Sequence, residues 1–145
     1  WTTAAASRSP SPAGTRNAPL GDATHGFGSH EPAPRLLPPS AAQDASGDIA
    51  LGFSAMSHTL YSSVYVAGRT PADPLGTMRG PLVLASGGGV QFNSYKRWGD
   101  YSSMTVDPKD DCTFWFTQEY YTSTGSFDWA TRIGSFRFDR CTSTK

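Results

Sequence analysis

The sequence predicts an all-β protein: about two antiparallel four-stranded units of an incomplete β-propeller, preceded by a disordered N-terminal segment. Three observations carry this reading. Apolar residues alternate with small or polar ones over short runs, helical periodicity is absent, and Gly and Pro recur along the chain. The folded part is also written twice. Ser40, Asp44 and Asp48 precede the run Ile49-Ala50-Leu51-Gly52-Phe53-Ser54, and a constant offset carries them onto Ser103, Asp107 and Asp111 before Cys112-Thr113-Phe114-Trp115-Phe116-Thr117. A repeat of this kind arises where one unit cannot bury its apolar face alone and needs stacked neighbours. Finally, Phe114 and Phe116 point one way from their strand and Trp115 the other, as expected when both faces of a sheet are packed. Regular short strands alone also suit a β-sandwich, and the repeat favours the propeller.

Residues 1–34 are mostly Ala, Ser, Thr, Pro and Gly, too poor in large apolar side chains to offset the entropy of ordering them. They are expected to be disordered. Residues 35–145 form the partial propeller, in units of about 35–86 and 87–145. In the first unit Ser40 to Gln43 is a short strand, and Asp44-Ala45-Ser46-Gly47-Asp48 has the composition of a tight hairpin turn. Ile49, Leu51 and Phe53 then alternate with Ala50, Gly52 and Ser54, giving one large and one small face. Tyr61 to Ala67 is a third strand, with Ser62, Val64 and Val66 on one side and Tyr61, Ser63, Tyr65 and Ala67 on the other. Pro81 to Leu84 is the fourth, an edge strand where a leading Pro is tolerated.

Gly87-Gly88-Gly89 reads as a flexible connector between the units. The second unit repeats the order with Tyr101 to Val106, Cys112 to Gln118 and Ala130 to Phe138, and no fourth strand follows before Lys145. Two open-edged units are expected to self-associate or to fold only partly alone.

Lys plus Arg and Asp plus Glu both count 12, so the net charge is zero, and neither nucleic acid nor an anionic membrane is an expected partner. No stretch is long and apolar enough to span a membrane. The chain begins with Trp1 and shows no signal peptide, which reads as processing or as an incomplete portion of a longer protein. Cys112 starts one strand and Cys141 follows the end of the next, and antiparallel pairing sets those two points side by side. A disulfide worth about 3 kcal/mol follows, and with it export; two buried thiols in a reducing compartment are the alternative.

Arg97-Trp98-Gly99-Asp100-Tyr101 is the densest functional cluster, placed where a propeller strand enters the ligand-binding mouth. Arg97 suits a carboxylate, Asp100 exchanges protons, and Trp98 and Tyr101 stack on rings. The competing structural role is an Arg97–Asp100 pair holding the loop while Trp98 plugs between units. Glu119 and Arg132 complete the ligand-binding candidates; a strand-end carboxylate such as Glu119 is more often simply solvated. The turns Asp44-x-Ser46-x-Asp48 and Asp107-x-x-Asp110-Asp111 gather hard oxygen ligands, but lack the ligand number and terminal Glu of a calcium loop. Calcium therefore stays a minor expectation and no cofactor is called for. His25 and His30 lie in the low-complexity segment and His58 in a polar loop, which assembles neither a metal site nor a Ser-His-Asp triad.

The runs Asp44-Ala-Ser-Gly-Asp-Ile-Ala-Leu-Gly-Phe-Ser54, Arg97-Trp-Gly-Asp-Tyr-Ser-Ser-Met-Thr-Val-Asp-Pro108, Asp111-Cys-Thr-Phe-Trp-Phe116 and Thr131-Arg-Ile-Gly-Ser-Phe136 with Cys141 resemble the C-terminal end of large secreted bacterial proteins with a sialidase-like β-propeller. The resemblance covers about Arg35 to Cys141. It implies export, a terminal disulfide between Cys112 and Cys141, and further blades upstream as the chain's partners, with glycans or extracellular proteins as ligands. Residues 1–34 depart from the aromatic-rich blade sequence such relatives would carry there, which points to a reading-frame shift or a truncated gene. The strict Ser-x-Asp-x-Gly-x-Thr-Trp motif of sialidases is absent. Sialidases use an arginine triad, a Tyr nucleophile with a Glu partner, and an Asp acid. Arg69, Arg97, Arg132, Tyr101, Glu119 and Asp100 supply those residue types without the matching motif positions. A recognition or scaffold module in a larger secreted protein is therefore the expected function, with part of a sialidase-type glycoside hydrolase as the alternative.

Overall fold

Alternation in the sequence becomes eight β-strands in the computed structural model, which describes residues 2–4, 34–95 and 98–142. They are β1 (Thr2–Ala4), β2 (Arg35–Gln43), β3 (Ile49–Met56), β4 (Ser63–Arg69), β5 (Arg79–Ala85), β6 (Ser103–Val106), β7 (Phe114–Tyr120) and β8 (Ala130–Arg137). Two antiparallel four-stranded sheets result, ordered β2-β3-β4-β5 and β1-β8-β7-β6, and no helix is present among the described residues. Each repeat unit thus makes its own sheet, and the described strands close no ring.

Several boundaries differ from those read in the sequence: β5 runs from Arg79 to Ala85 rather than Pro81 to Leu84, β6 starts at Ser103 rather than Tyr101, and β7 runs from Phe114 to Tyr120 rather than Cys112 to Gln118. β2 begins at Arg35, and its ladder to β3 shifts register between Leu37 and Ser40, where Pro38 and Pro39 offer no N–H. β4 begins at Ser63 because Tyr61 and Ser62 belong to the preceding loop. The fourth strand of the second sheet is Thr2–Ala4, paired with Ser135–Arg137. Those three residues come from the segment expected to be disordered; short Thr- and Ala-containing runs carry little signal until a sheet edge offers backbone partners. Residues 5–33 of that segment, with His25 and His30, lie outside the described residues.

The small face of the first sheet is the one that packs inward. Gly52 pairs with Val66 and Ser54 with Val64, so Ala50, Gly52, Ser54, Val64 and Val66 share a side. Ala50, Val64 and Val66 form one core with Met104, Phe114, Phe116, Phe136 and Phe138 of the second unit. Gly52 is required there: a Cβ on it would sit 2.4 Å from the Phe116 ring. The large face of the first sheet carries a second cluster of Phe53, Ala55, Tyr65 and Ala67, against which Leu51, Leu60 and Met78 pack.

By the repeat, Leu51 and Phe53 correspond to Phe114 and Phe116. The second unit therefore offers its large face to the small face of the first, and the stacking is head to tail. β2 lies against β6, β3 against β6 and β7, β4 against β7, and β5 against β8. The opposite face of the second sheet is left with Trp115 and Ile133 half-exposed, at 36% and 54%.

Cys112 and Cys141 are disulfide-bonded, with Cα atoms 5.6 Å apart. The bond is buried and ties the start of β7 to the turn after β8. Ser46 of the first unit donates to the Cys141 sulfur at 3.4 Å, and the Ala45 N–H donates to the Asp111 carbonyl at 2.9 Å. The disulfide end of the stack is thus one place where the units are hydrogen-bonded to each other. No helix among the described residues is long and apolar enough to cross a membrane.

Candidate functional site

Antiparallel connectivity sends three connections to the end opposite the disulfide: residues 57–62 between β3 and β4, residues 86–102 between β5 and β6, and residues 121–129 between β7 and β8. The first is held within itself. The Ser57 hydroxyl accepts from the N–H groups of Thr59 and Leu60, and the Ser57 N–H donates to the Leu60 carbonyl. This is the local turn-building that Ser favours outside regular structure.

The glycine triplet is not a flexible connector. Gly87 donates to the Ser63 hydroxyl at 2.8 Å and Gly88 to the Tyr121 carbonyl at 2.8 Å. Added Cβ atoms would lie 2.4 Å from the Ser62 carbonyl oxygen at Gly87, 2.3 Å from that of Thr122 at Gly88 and 2.0 Å from the Thr124 nitrogen at Gly89. The triplet threads between two loops where no side chain fits, a use of glycine that composition alone does not distinguish from flexibility. Beyond it, Phe92 donates to the Gly125 carbonyl and Asn93 to that of Ser126, both at 2.8 Å, stitching the connector to the β7–β8 loop.

A cleft of about 400 Å³ opens between these loops, within the range of small-molecule sites. His58, Leu60, Tyr61, Ser62, Gln91 and Trp98 are among its walls. Trp98 is half-buried and packs on Tyr121, with ring centres 5.4 Å apart and planes tilted by 33°. Tyr121 is buried; it donates to the Ser126 carbonyl, and burial pushes its phenol pKa up. Both the indole nitrogen of Trp98 and the hydroxyl of Ser62 are buried without a hydrogen-bond partner. Such groups are rare in folded proteins and call for an explanation.

Next to the cleft lies an aromatic ledge. Tyr95 and Phe127 have ring centres 6.1 Å apart, and Phe127 and Trp129 6.4 Å, with planes inclined at 50° and 76°. All three are exposed, as is Phe92. Sequence reasoning missed them, although Phe92-x-x-Tyr95 and Phe127-x-Trp129 place aromatics within Gly- and Ser-rich loops, where no core needs them.

The candidates read from the sequence separate in space. Trp98 lines the cleft, and Asp100 and Tyr101 are exposed on the approach to β6, Tyr101 at 84%. Arg97 lies outside the described residues. Glu119 pairs with Thr131 and Arg132 with Gln118, so Glu119 and Arg132 occupy opposite faces of the second sheet. Arg132 and buried Gln118 point into the stack, where Arg132 Nε and Gln118 Nε2 have no partner. Arg69 stands at the disulfide end and donates to the Asp73 carbonyl. Among the described residues no group of three or more His, Cys, Asp or Glu side chains is placed to hold a metal ion.

No family model matches the chain, and comparison with curated proteins and with solved structures returns no match.

Proposed function

We propose that the chain comprises two blades of an extracellular β-propeller that serves as a recognition or scaffold module in a larger secreted protein. Its ligand, a glycan or an extracellular protein, is held at the loop end. The observation that carries this reading is the head-to-tail stacking, which pairs unlike faces of two equivalent sheets and leaves a cleft between their loops. Propellers stack sheets in this manner and bind at their loop ends. The half-exposed face bearing Trp115 and Ile133 is where remaining blades of a longer chain contact it, and the buried disulfide suits an oxidising compartment.

Binding rather than hydrolysis is favoured because Glu119 and Arg132 face opposite sides of one sheet and do not converge on a bond. The test is to probe an array of glycans and extracellular matrix proteins with the full chain, alongside a fluorogenic sialoside assay. Retention without turnover is expected. Release of fluorophore that is lost on Tyr101→Phe would replace the module with an enzyme, and failure to retain any probe would remove the recognition role.

A further inference from the structure

We infer that the cleft binds one ring of a neutral oligosaccharide and that the Tyr95–Phe127–Trp129 ledge binds the next; this rests on the recognition reading above. Chemistry within the cleft selects the ligand. Its described walls are polar or apolar side chains, with His58 the one among them that can carry a charge, and an uncharged, hydroxyl-rich ligand suits such a lining. What it does offer is a buried indole N–H and a buried hydroxyl, both without partners and both on cleft-lining residues, beside the exposed rings of Tyr61 and His58. Ser62 is 93% buried, at 7% relative exposure, and both atoms are closed to solvent, so a ligand reaches them as the cleft wall opens slightly around it. An N–H donor and a hydroxyl that both gives and accepts are complementary to adjacent sugar hydroxyls, while Trp98 supplies an apolar surface with a polar edge.

The ledge extends that site in one direction. Gln91 lines the cleft and bridges to Gly125, and the next residues of both strands lead to Tyr95 and to Phe127 and Trp129. Hydrogen bonds from Phe92 and Asn93 to Gly125 and Ser126 fix the two loops to each other, so the three exposed rings are held in place before any ligand arrives. An aromatic array that is both exposed and pre-organised serves a ligand longer than one ring.

The experiment is calorimetric and fluorescence titration of the full chain with lactose, cellotetraose and chitotetraose, and in parallel with sialyllactose and decaproline. Saturable binding of a neutral oligosaccharide is expected, weakened about tenfold by Trp98→Phe, which keeps an aromatic ring, though a smaller one, and deletes the N–H. Ser62→Ala should weaken it several-fold, and Trp129→Ala should weaken tetrasaccharide binding more than disaccharide binding. Melting temperatures show whether each variant is folded; if one is not, perturbation of the Trp98 and Trp129 indole N–H resonances in the unaltered chain decides the matter. No binding of any neutral saccharide, or unchanged affinity in both cleft variants, overturns the inference. Tighter binding of sialyllactose or decaproline also overturns it, but leaves the recognition module standing.

Discussion

The β2–β3 and β6–β7 turns share a pair of repeat aspartates, and the second adds Asp110; the acidic groups of the two turns end in opposite environments. In the first, Asp44 and Asp48 are 7% and 2% exposed. One oxygen of Asp44 accepts from the N–H groups of Ser46 and Asp48, while Oδ2 of each residue is buried without a partner. Burial first, and then the neighbouring Asp44 charge, raise the Asp48 pKa, and Arg79 and Arg140 only partly offset them. In the second turn Asp107 accepts from the Lys109 N–H and from the Trp115 indole. Asp110 takes the N–H groups of Cys112 and Thr113 and the Thr113 hydroxyl, which hold its pKa down to about 2. The difference has two sources: the stack buries the first turn, and the second carries Asp110 where the first has Gly47. The first turn is covered by the Asp111 carbonyl and Cys141, whereas residues 107–111 are half-buried or exposed.

Two substitutions within the repeat sharpen this asymmetry. The position of Gly52, where Phe116 seats, is occupied in the second unit by Trp115, and that of Ala45, whose N–H bonds across the interface, by Pro108. The outer face of the second sheet can therefore neither seat an aromatic ring at that position nor donate that hydrogen bond. The largest expected effect follows. Gly52→Trp, which makes the first unit copy the second, should separate the sheets and cost more than about 3 kcal/mol, enough to abolish a cooperative melt. Trp115→Gly, the reverse copy at a half-exposed site, should cost about 1 kcal/mol. Equal losses in urea denaturation would mean that the two faces are not distinguished as described.

Next in size is the disulfide. Cys112→Ser with Cys141→Ser should cost about 3 kcal/mol by the loop-entropy argument, and it also removes the acceptor for Ser46. Hydrogen exchange should quicken at the Ala45 N–H, across the interface, as well as in β7 and β8. A loss confined to the second unit would show that the bond does not brace the stack.

Asp48 gives a smaller effect of opposite sign. A folded-state pKa above the unfolded value of about 3.9 means that the folded chain binds the proton more tightly, so stability is full below that value and declines as pH rises through the raised pKa. Asp48→Asn should therefore stabilise the chain at pH 7 by about 1 kcal/mol and bring little change below the ordinary carboxylate range. Destabilisation at pH 7 would sink this account.

Strands and faces were legible because they rest on period-two alternation: Phe53 opposite Tyr65 and Phe114 opposite Phe136 follow from pattern and pairing. The disulfide was legible because antiparallel pairing fixes which chain ends meet. β1 was not, since a three-residue edge strand has no pattern of its own and depends on the partner that β8 supplies. The site was half legible. Trp98 was found as an aromatic beside a strand start, but Ser62 and the glycine triplet matter through contacts between loops distant in sequence. Glu119 and Arg132 show the limit of residue type alone, because one position of register puts them on opposite faces.

The smallest effect tests the second turn. Asp110 has a folded pKa near 2 against about 3.9 unfolded, so its contribution is present above the unfolded value and is lost as pH falls through the folded one. Between those values the unfolded chain binds the extra proton, and stability must fall with acidification. Asp110→Asn keeps an acceptor for the Cys112 and Thr113 N–H groups but has nothing to titrate. Thermal melts from pH 5 to pH 2 should therefore show a shallower acid decline in the variant than in the parent chain. Asp48 works against this slope, because its proton uptake favours the folded state on acidification, so the double variant with Asp48→Asn should lose stability in acid faster than Asp110→Asn alone. If the two single variants shift the acid limb in the same direction, the contrast between the turns is wrong.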